Sequence, residues 1–301
     1  LFNRAIQGTY PPGSTIKPMM AMAGLESGLV NPQSSVPDPG WYSLPGDSRK
    51  YRDWILRVTG GGHASRVDMK MAIAQSCDVY FYDLARRLTI DRMHDYLTPF
   101  GFGHLTHIDT TNERRGVLPS TRWKRDAMGQ PWYPGETLSA GIGQGYMLAS
   151  PMQLAVATAV VAAKGVRRTP RMLRAVNGKE VEAPLLEPIL VPAAYWDAIY
   201  EGMVEVVHGN RGTAKALAVG IEYQMAGKTG TAQVIGIPQG QVHIESEVAE
   251  RHRHHGLFIA FAPAEAPTIA VAIIVENGGG SSAASPIARA VIDTWLFGGA
   301  G

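Results

Sequence analysis

The sequence has little cysteine, little charge and no long hydrophobic run. Cys77 is the only cysteine in 301 residues, so no internal disulfide can form and no cross-linked scaffold is available. Charged residues make up 18%, with a formal net charge of +2, which gives no acidic tail and no footprint for nucleic acid. No stretch of 18 or more apolar residues occurs, so no membrane span is expected within these residues. Internal repeats and low-complexity tracts are also missing. The chain opens on Leu1-Phe2-Asn3 without an initiator Met or a signal peptide, and it reads as a piece of a longer protein.

What is there is an apolar content of 45%, enough for a sizeable core in one large or two-lobed domain. After the breaker cluster Thr9-Tyr10-Pro11-Pro12-Gly13, a helix is expected over about 14–27, with Pro18 tolerated in its first turn and Gly28 closing it. Residues 31–66 read as a loop, 67–98 as two helical pieces split near Thr89-Ile90-Asp91, and 99–149 as loops and turns. Ser150-Pro151-Met152-Gln153 has the pattern of a capped helix start, and that helix should run to about Lys164. Short strands are expected over 166–191, a helix over 193–208, a strand over 224–234, a polar loop over about 235–254, a hairpin from 257–262 and 268–275, and a last helix over about 286–296. Helices in the middle and strands at the end give an α+β class, with helices packed on an antiparallel sheet.

Three constellations carry chemistry. In Ser14-Thr15-Ile16-Lys17 the serine and lysine stand three apart, on one face of a helix. A lysine of lowered pKa can take the proton of a serine hydroxyl, and a helix start offers free N–H groups to an oxyanion. Lys228-Thr229-Gly230-Thr231 puts a cation and two hydroxyls on a strand, suited to a substrate carboxylate, with a glycine where a backbone or ligand comes close. Between them, Ser76-Cys77-Asp78 offers a hydroxyl for proton relay beside a short polar side chain. Each alone has an ordinary reading: a capping serine, a solvated lysine, an edge strand.

Together and in this order, the three sets resemble the active-site serine penicillin-recognising enzymes. Tyr10-Pro11-Pro12-Gly13-Ser14-Thr15-Ile16-Lys17-Pro18 and Gly141-Ile142-Gly143-Gln144-Gly145 are similar to class B penicillin-binding proteins. Tyr51-Arg52-Asp53-Trp54 and Ser76-Cys77-Asp78 look like the elongation-type branch, the penicillin-binding protein 2 group. The resemblance implies a penicillin-binding, serine β-lactamase-like transpeptidase fold spanning residues 1–301: an antiparallel sheet flanked by helices plus an all-helical lobe. It implies a peptidoglycan D,D-transpeptidase in which Ser14 is the nucleophile and Lys17 the base. Ser76 and Lys17 would carry protons, Lys228 would join the catalytic set, and Asp78, Thr229, Gly230 and Thr231 would bind substrate. Partners implied are stem peptides, β-lactam antibiotics, a membrane glycan polymerase and elongation-complex proteins. The implied location is the periplasmic face of the inner membrane, with an anchor and pedestal upstream. Asp78 stands where most relatives carry Asn. It has no NH2 to donate, so either it is protonated or its role differs.

Cys77 follows a segment that holds Asp38, Asp47, Asp53, His63 and Asp68. A cysteine, a histidine and two carboxylates can make a tetrahedral zinc set, and the elongation-type resemblance points to Asp38, Asp53, His63 and Cys77. The other reading is a small buried cysteine and a surface histidine. His252, His254 and His255 read as solvated. No organic cofactor is expected. A D,D-carboxypeptidase or β-lactamase shares the motifs and would need a group to activate water, for which Glu136 is the candidate. A β-lactam sensor domain is the remaining alternative.

Overall fold

A computed structural model of the chain describes residues 2–182, 184–234 and 249–298. The helix Lys17–Glu26 is buried at every position from Lys17 to Leu25. A helix apolar on nearly all sides belongs inside a core, and other helices surround this one. It follows a 3-10 turn, Gly13–Ile16, and Pro18 occupies its first turn as expected. Against it packs the helix Asp78–Leu88, with Asp78 in its first turn and Arg86 and Arg87 in its last, which complements the helix dipole. Helices Met69–Ala74, Ile90–Leu97 and Pro134–Gly141 complete this helical region. Gly141 lies so close to the Asp78–Leu88 helix that a Cβ would sit 2.4 Å from Ala85 Cβ.

The sheet is antiparallel, with His255–Ala262 between Ala226–Ala232 and Ile269–Val275. Gly256 faces Thr231 on one side and Val275 on the other, which fixes the register. The middle strand is buried from Gly256 to Ala262, so both faces of the sheet are covered. Helices Ala193–His208, Pro151–Ala162 and Ser285–Phe297 pack on it, with the Tyr200 and Phe261 rings 4.8 Å apart. Ala226–Ala232 forms one edge, on the side of the Gly13–Ile16 turn.

The expected cap at Ser150 forms: Ser150 Oγ accepts from Gln153 N at 3.1 Å, and Gln153 Oε1 accepts from Ser150 N at 2.8 Å. Three expectations change. Residues 99–149 contain two helices, Thr121–Met128 and Pro134–Gly141, whose glycines and prolines stand at the ends: Gly129 closes the first and Pro134 opens the second. Residues 67–98 form three helices, with a further break at Ser76-Cys77, where Ser76 takes φ +58°. Segment 31–66 contains the short helix Trp54–Thr59, capped by Asp53. Most of the expected polar loop, residues 235–248, lies outside the described residues. None of the described helices is long and apolar enough to cross a membrane.

Candidate active site

The turn that carries Ser14 is clamped from two directions. Gly13 has φ +53°, and a Cβ there would meet Thr231 O at 2.4 Å, so only glycine fits. Its N–H donates to Gly143 O at 2.8 Å. A Cβ on Gly230 would lie 2.7 Å from Thr15 Cγ2, which is the close approach expected of a glycine inside a strand. Ser14 is thereby held against the Gly230-Thr231 end of the edge strand.

One helical turn on, Lys17 is fully buried. Its ammonium donates to Asp78 Oδ1 at 2.6 Å, Ser76 O at 2.9 Å and Ser76 Oγ at 3.2 Å. The left-handed backbone at Ser76 breaks the helical run there and leaves its carbonyl free for Lys17, with Trp54 Nε1 donating to the same oxygen at 3.3 Å. Asp78 Oδ1 accepts from Lys17 as an amide oxygen would; what the carboxyl lacks is an NH2 to donate to a substrate carbonyl.

Lys228 is also fully buried, and its Nζ donates to Thr229 O at 3.0 Å and reaches Thr229 Oγ1 at 3.4 Å. Burial, reinforced by the nearby Lys17 charge, holds its pKa well below that of an ordinary lysine. Thr229 Oγ1 lies 2.7 Å from Thr213 Oγ1. Thr213, whose N–H donates to Ala74 O at 3.2 Å, ties the strand to the helix just before Ser76. Sequence reasoning missed it, because a lone threonine after a helix carries no local signal.

Beside this site, Asp38, Asp53, His63 and Cys77 are all buried, with one ligand-type atom from each lying within 4.8 Å of the others. His63 Nδ1 is 2.9 Å from Asp38 Oδ2 and 3.8 Å from Asp53 Oδ2, and Cys77 Sγ is 3.6 Å from Asp38 Oδ2. Zinc bonds of about 2.0–2.3 Å in a tetrahedron separate ligand atoms by roughly 3.3–3.8 Å; the 3.6 and 3.8 Å separations match that, while the hydrogen bond between His63 Nδ1 and Asp38 Oδ2 draws that pair closer, to 2.9 Å. His63 Nε2 is buried with no partner among the described residues. Burial, with the charge of Asp78, raises the Asp53 carboxyl to about 6. Burial, with Asp53 and Asp38, pushes the Cys77 thiol well up. Burial also lifts Asp38, but hydrogen bonds from His63 and Gly40 pull it net below the usual carboxylate range. A buried cation would relieve the crowding of these acids.

Asp53 Oδ2 also accepts from Asp78 N at 2.6 Å and Val79 N at 3.2 Å, so the cluster grips the helix that starts beside Ser76. Asp47 and Asp68 stand apart, accepting from Arg49 N and Met71 N. His255 accepts from Asn277 N at 2.9 Å and His254 from Val234 N at 3.4 Å, so neither joins a metal group among the described residues. Glu136 accepts from Lys124 Nζ, from Tyr133 N at 2.8 Å and from Tyr146 Oη at 3.2 Å, and those bonds hold its carboxyl below the usual carboxylate range.

A buried lysine between two serine-bearing turns, facing a lysine-threonine-glycine edge strand, is the arrangement of serine acyl-transfer domains of the penicillin-binding type. A family model described as "Penicillin binding protein transpeptidase domain" matches residues 1–293, and the chain belongs to that family. It is 44% identical to peptidoglycan D,D-transpeptidase MrdA of Acinetobacter baumannii over 99% of this chain and 44% of the relative. The chain thus spans about half the length of the curated relatives it matches. Pseudomonas aeruginosa PBP2, solved in complex with WCK 5153, is 45% identical, with TM-score 0.87 over 98% of this chain and 63% of that one. Helicobacter pylori PBP2, solved in complex with MreC, is 32% identical, with TM-score 0.84 over 99% and 51%. The fold is the penicillin-binding, β-lactamase-like one.

Proposed function

We propose that the chain is the acyl-transfer domain of a peptidoglycan D,D-transpeptidase that cross-links stem peptides and is trapped by β-lactams. One observation carries the reading: Lys17 bonds to Ser76 and Asp78 on one side, while the adjoining Ser14 turn packs on Gly230-Thr231 on the other. Similarity to MrdA supports the same substrate.

Ser14 Oγ attacks the carbonyl of the D-Ala–D-Ala bond as its proton passes to Lys17. Asp78 Oδ1, 2.6 Å from Lys17 Nζ, holds that amine in place beside Ser76. Backbone N–H groups of Ser14 and Thr231 receive the oxyanion. The C–N bond breaks, and Lys17 or Ser76 protonates the departing D-Ala amine. An amine of a neighbouring stem then attacks the ester carbon, gives up its proton along the same path and frees Ser14. Lys228, which burial keeps ready to lose its charge, becomes a favourable ammonium once a substrate carboxylate arrives beside Thr229 and Thr231.

Asp38, Asp53, His63 and Cys77 hold one zinc ion in this reading. Bound there, the ion would tie segment 31–66 to the helix beginning beside Ser76. The full protein works at the periplasmic face of the inner membrane, with a glycan polymerase and elongation proteins. The MreC complex of the Helicobacter pylori relative supports that setting.

Intact-protein mass spectrometry with benzylpenicillin tests this. A stable one-to-one adduct on wild type, absent from Ser14→Ala, is expected. Rapid turnover would make the protein a hydrolase, and an adduct on Ser14→Ala would remove Ser14 as nucleophile.

A further inference from the structure

We propose that Gln144 is a positioning residue that aims the Thr231 N–H at the acyl oxygen, making the turn 141–145 the hinge pin of the oxyanion site. The inference rests on the acyl-transfer reading above. In an antiparallel pair, residues alternate between exchanging both backbone hydrogen bonds and exchanging neither, so a residue whose carbonyl faces away from its partner strand turns its N–H away too. Thr231 O accepts from Gln144 Nε2 at 2.8 Å. Two residues earlier, Thr229 O accepts from Lys228 Nζ at 3.0 Å, in the same phase. Thr231 is therefore opposite Gly256 without bonding to it, and its N–H faces the open edge where the Ser14 turn lies.

Among the described residues no neighbouring strand fixes that open edge; the Gln144 amide does. Gln144 itself is anchored, since its N–H donates to Ser139 O at 2.9 Å. It stands between Gly143 at φ +72° and Gly145 at φ +70°, two positions that favour glycine. Gly143 O accepts from Gly13 N at 2.8 Å, and a Cβ on Gly143 would lie 2.2 Å from Gly13 O. The same turn thus holds the residue before Ser14 through a carbonyl and the residue Thr231 through a side-chain amide. The two oxyanion donors come from distant parts of the chain, and this turn sets the distance between them.

The test compares wild type with Gln144→Met, which keeps length but cannot donate, and with Gln144→Glu, whose carboxylate cannot donate at neutral pH. Benzylpenicillin acylation measured against concentration separates encounter from the first-order step. Direct loss of an oxyanion donor costs about 10²–10³ in rate, so an indirect loss of aim should cost about 10-fold in the first-order step, with the encounter constant within about twofold. The infrared carbonyl band of the penicilloyl ester should move to higher frequency in both variants, since a less polarised carbonyl is stiffer. A general packing defect would not move that band. Unchanged acylation, or slower acylation with an unmoved band, overturns the proposal. Should Gln144→Met fail to fold, Gln144→Glu decides on the same two readouts. If wild type itself is not acylated, the acyl-transfer reading falls and this one with it; normal acylation by both variants removes this one alone.

Discussion

The helix Lys17–Glu26 and the segment 31–66 meet at Ser76–Asp78, yet different forces hold them there. Along the helix Ile16, Met19, Met20, Met22 and Leu25 are all buried, so its place is set by apolar burial from every side. In 31–66 the buried residues are Asp38, Gly40, Asp53 and His63, and three of these four belong to the proposed metal set. Apolar contact is non-directional and robust, so the helix can carry a desolvated lysine within it. The segment has almost no apolar anchor, and it places Trp54 over Ser76 only while its acids and His63 stay gathered.

The largest effect that sharpens this contrast is expected from Met20→Ala. Truncating a buried methionine typically costs about 2–5 kcal/mol, and denaturant melts should show that loss equally with and without a strong chelator. Equal sensitivity of both regions to chelation would break the comparison. Next comes Asp53→Ala, which leaves the buried N–H groups of Asp78 and Val79 unsatisfied and should cost about 1–3 kcal/mol. Hydrogen exchange should rise over residues 38–63 while helix Lys17–Glu26 stays protected, and Cys77→Ser should lose bound zinc in elemental analysis. Zinc-free wild-type protein would end the metal assignment.

A pH measurement probes the buried lysine on the strand side. Lys228 is held below its unfolded value of 10.5, so between the two values the unfolded chain binds the extra proton. Wild-type stability should therefore rise with pH relative to Lys228→Met, and the rise should stop near 10.5. A flat difference across that window would mean that Lys228 carries an ordinary pKa. The smallest effect is expected for Trp54→Phe, which removes one partly exposed bond to Ser76 O and should lower stability by about 0.5–1.5 kcal/mol.

Much of this was legible in the sequence. The helix after Gly13, the Ser150 cap and the final hairpin are written in local patterns, and each forms as read. The helices Thr121–Met128 and Pro134–Gly141 were not legible, because eight residues give barely two turns of periodicity and their flanking glycines and prolines mimic loops. The break at Ser76 was missed for a related reason: a serine at φ +58° has no signature of its own, and the surrounding tertiary contacts impose it. Thr213 and Gln144 meet Thr229 and Thr231 across 16 and 87 residues, and no local pattern encodes such pairs.

By itself the sequence determined the inventory: a serine and a lysine one turn apart, a lysine-threonine-glycine strand, a serine-cysteine-aspartate turn, and the helices and strands that carry them. Propensity and spacing act over a few residues, so they are readable one segment at a time. Only the tertiary structure decided that Asp78 faces Lys17, that four scattered side chains share one buried pocket, and that one glutamine amide holds the end of the strand. Those outcomes depend on burial and on hydrogen bonds between segments far apart in the chain, which exist only once the core has formed.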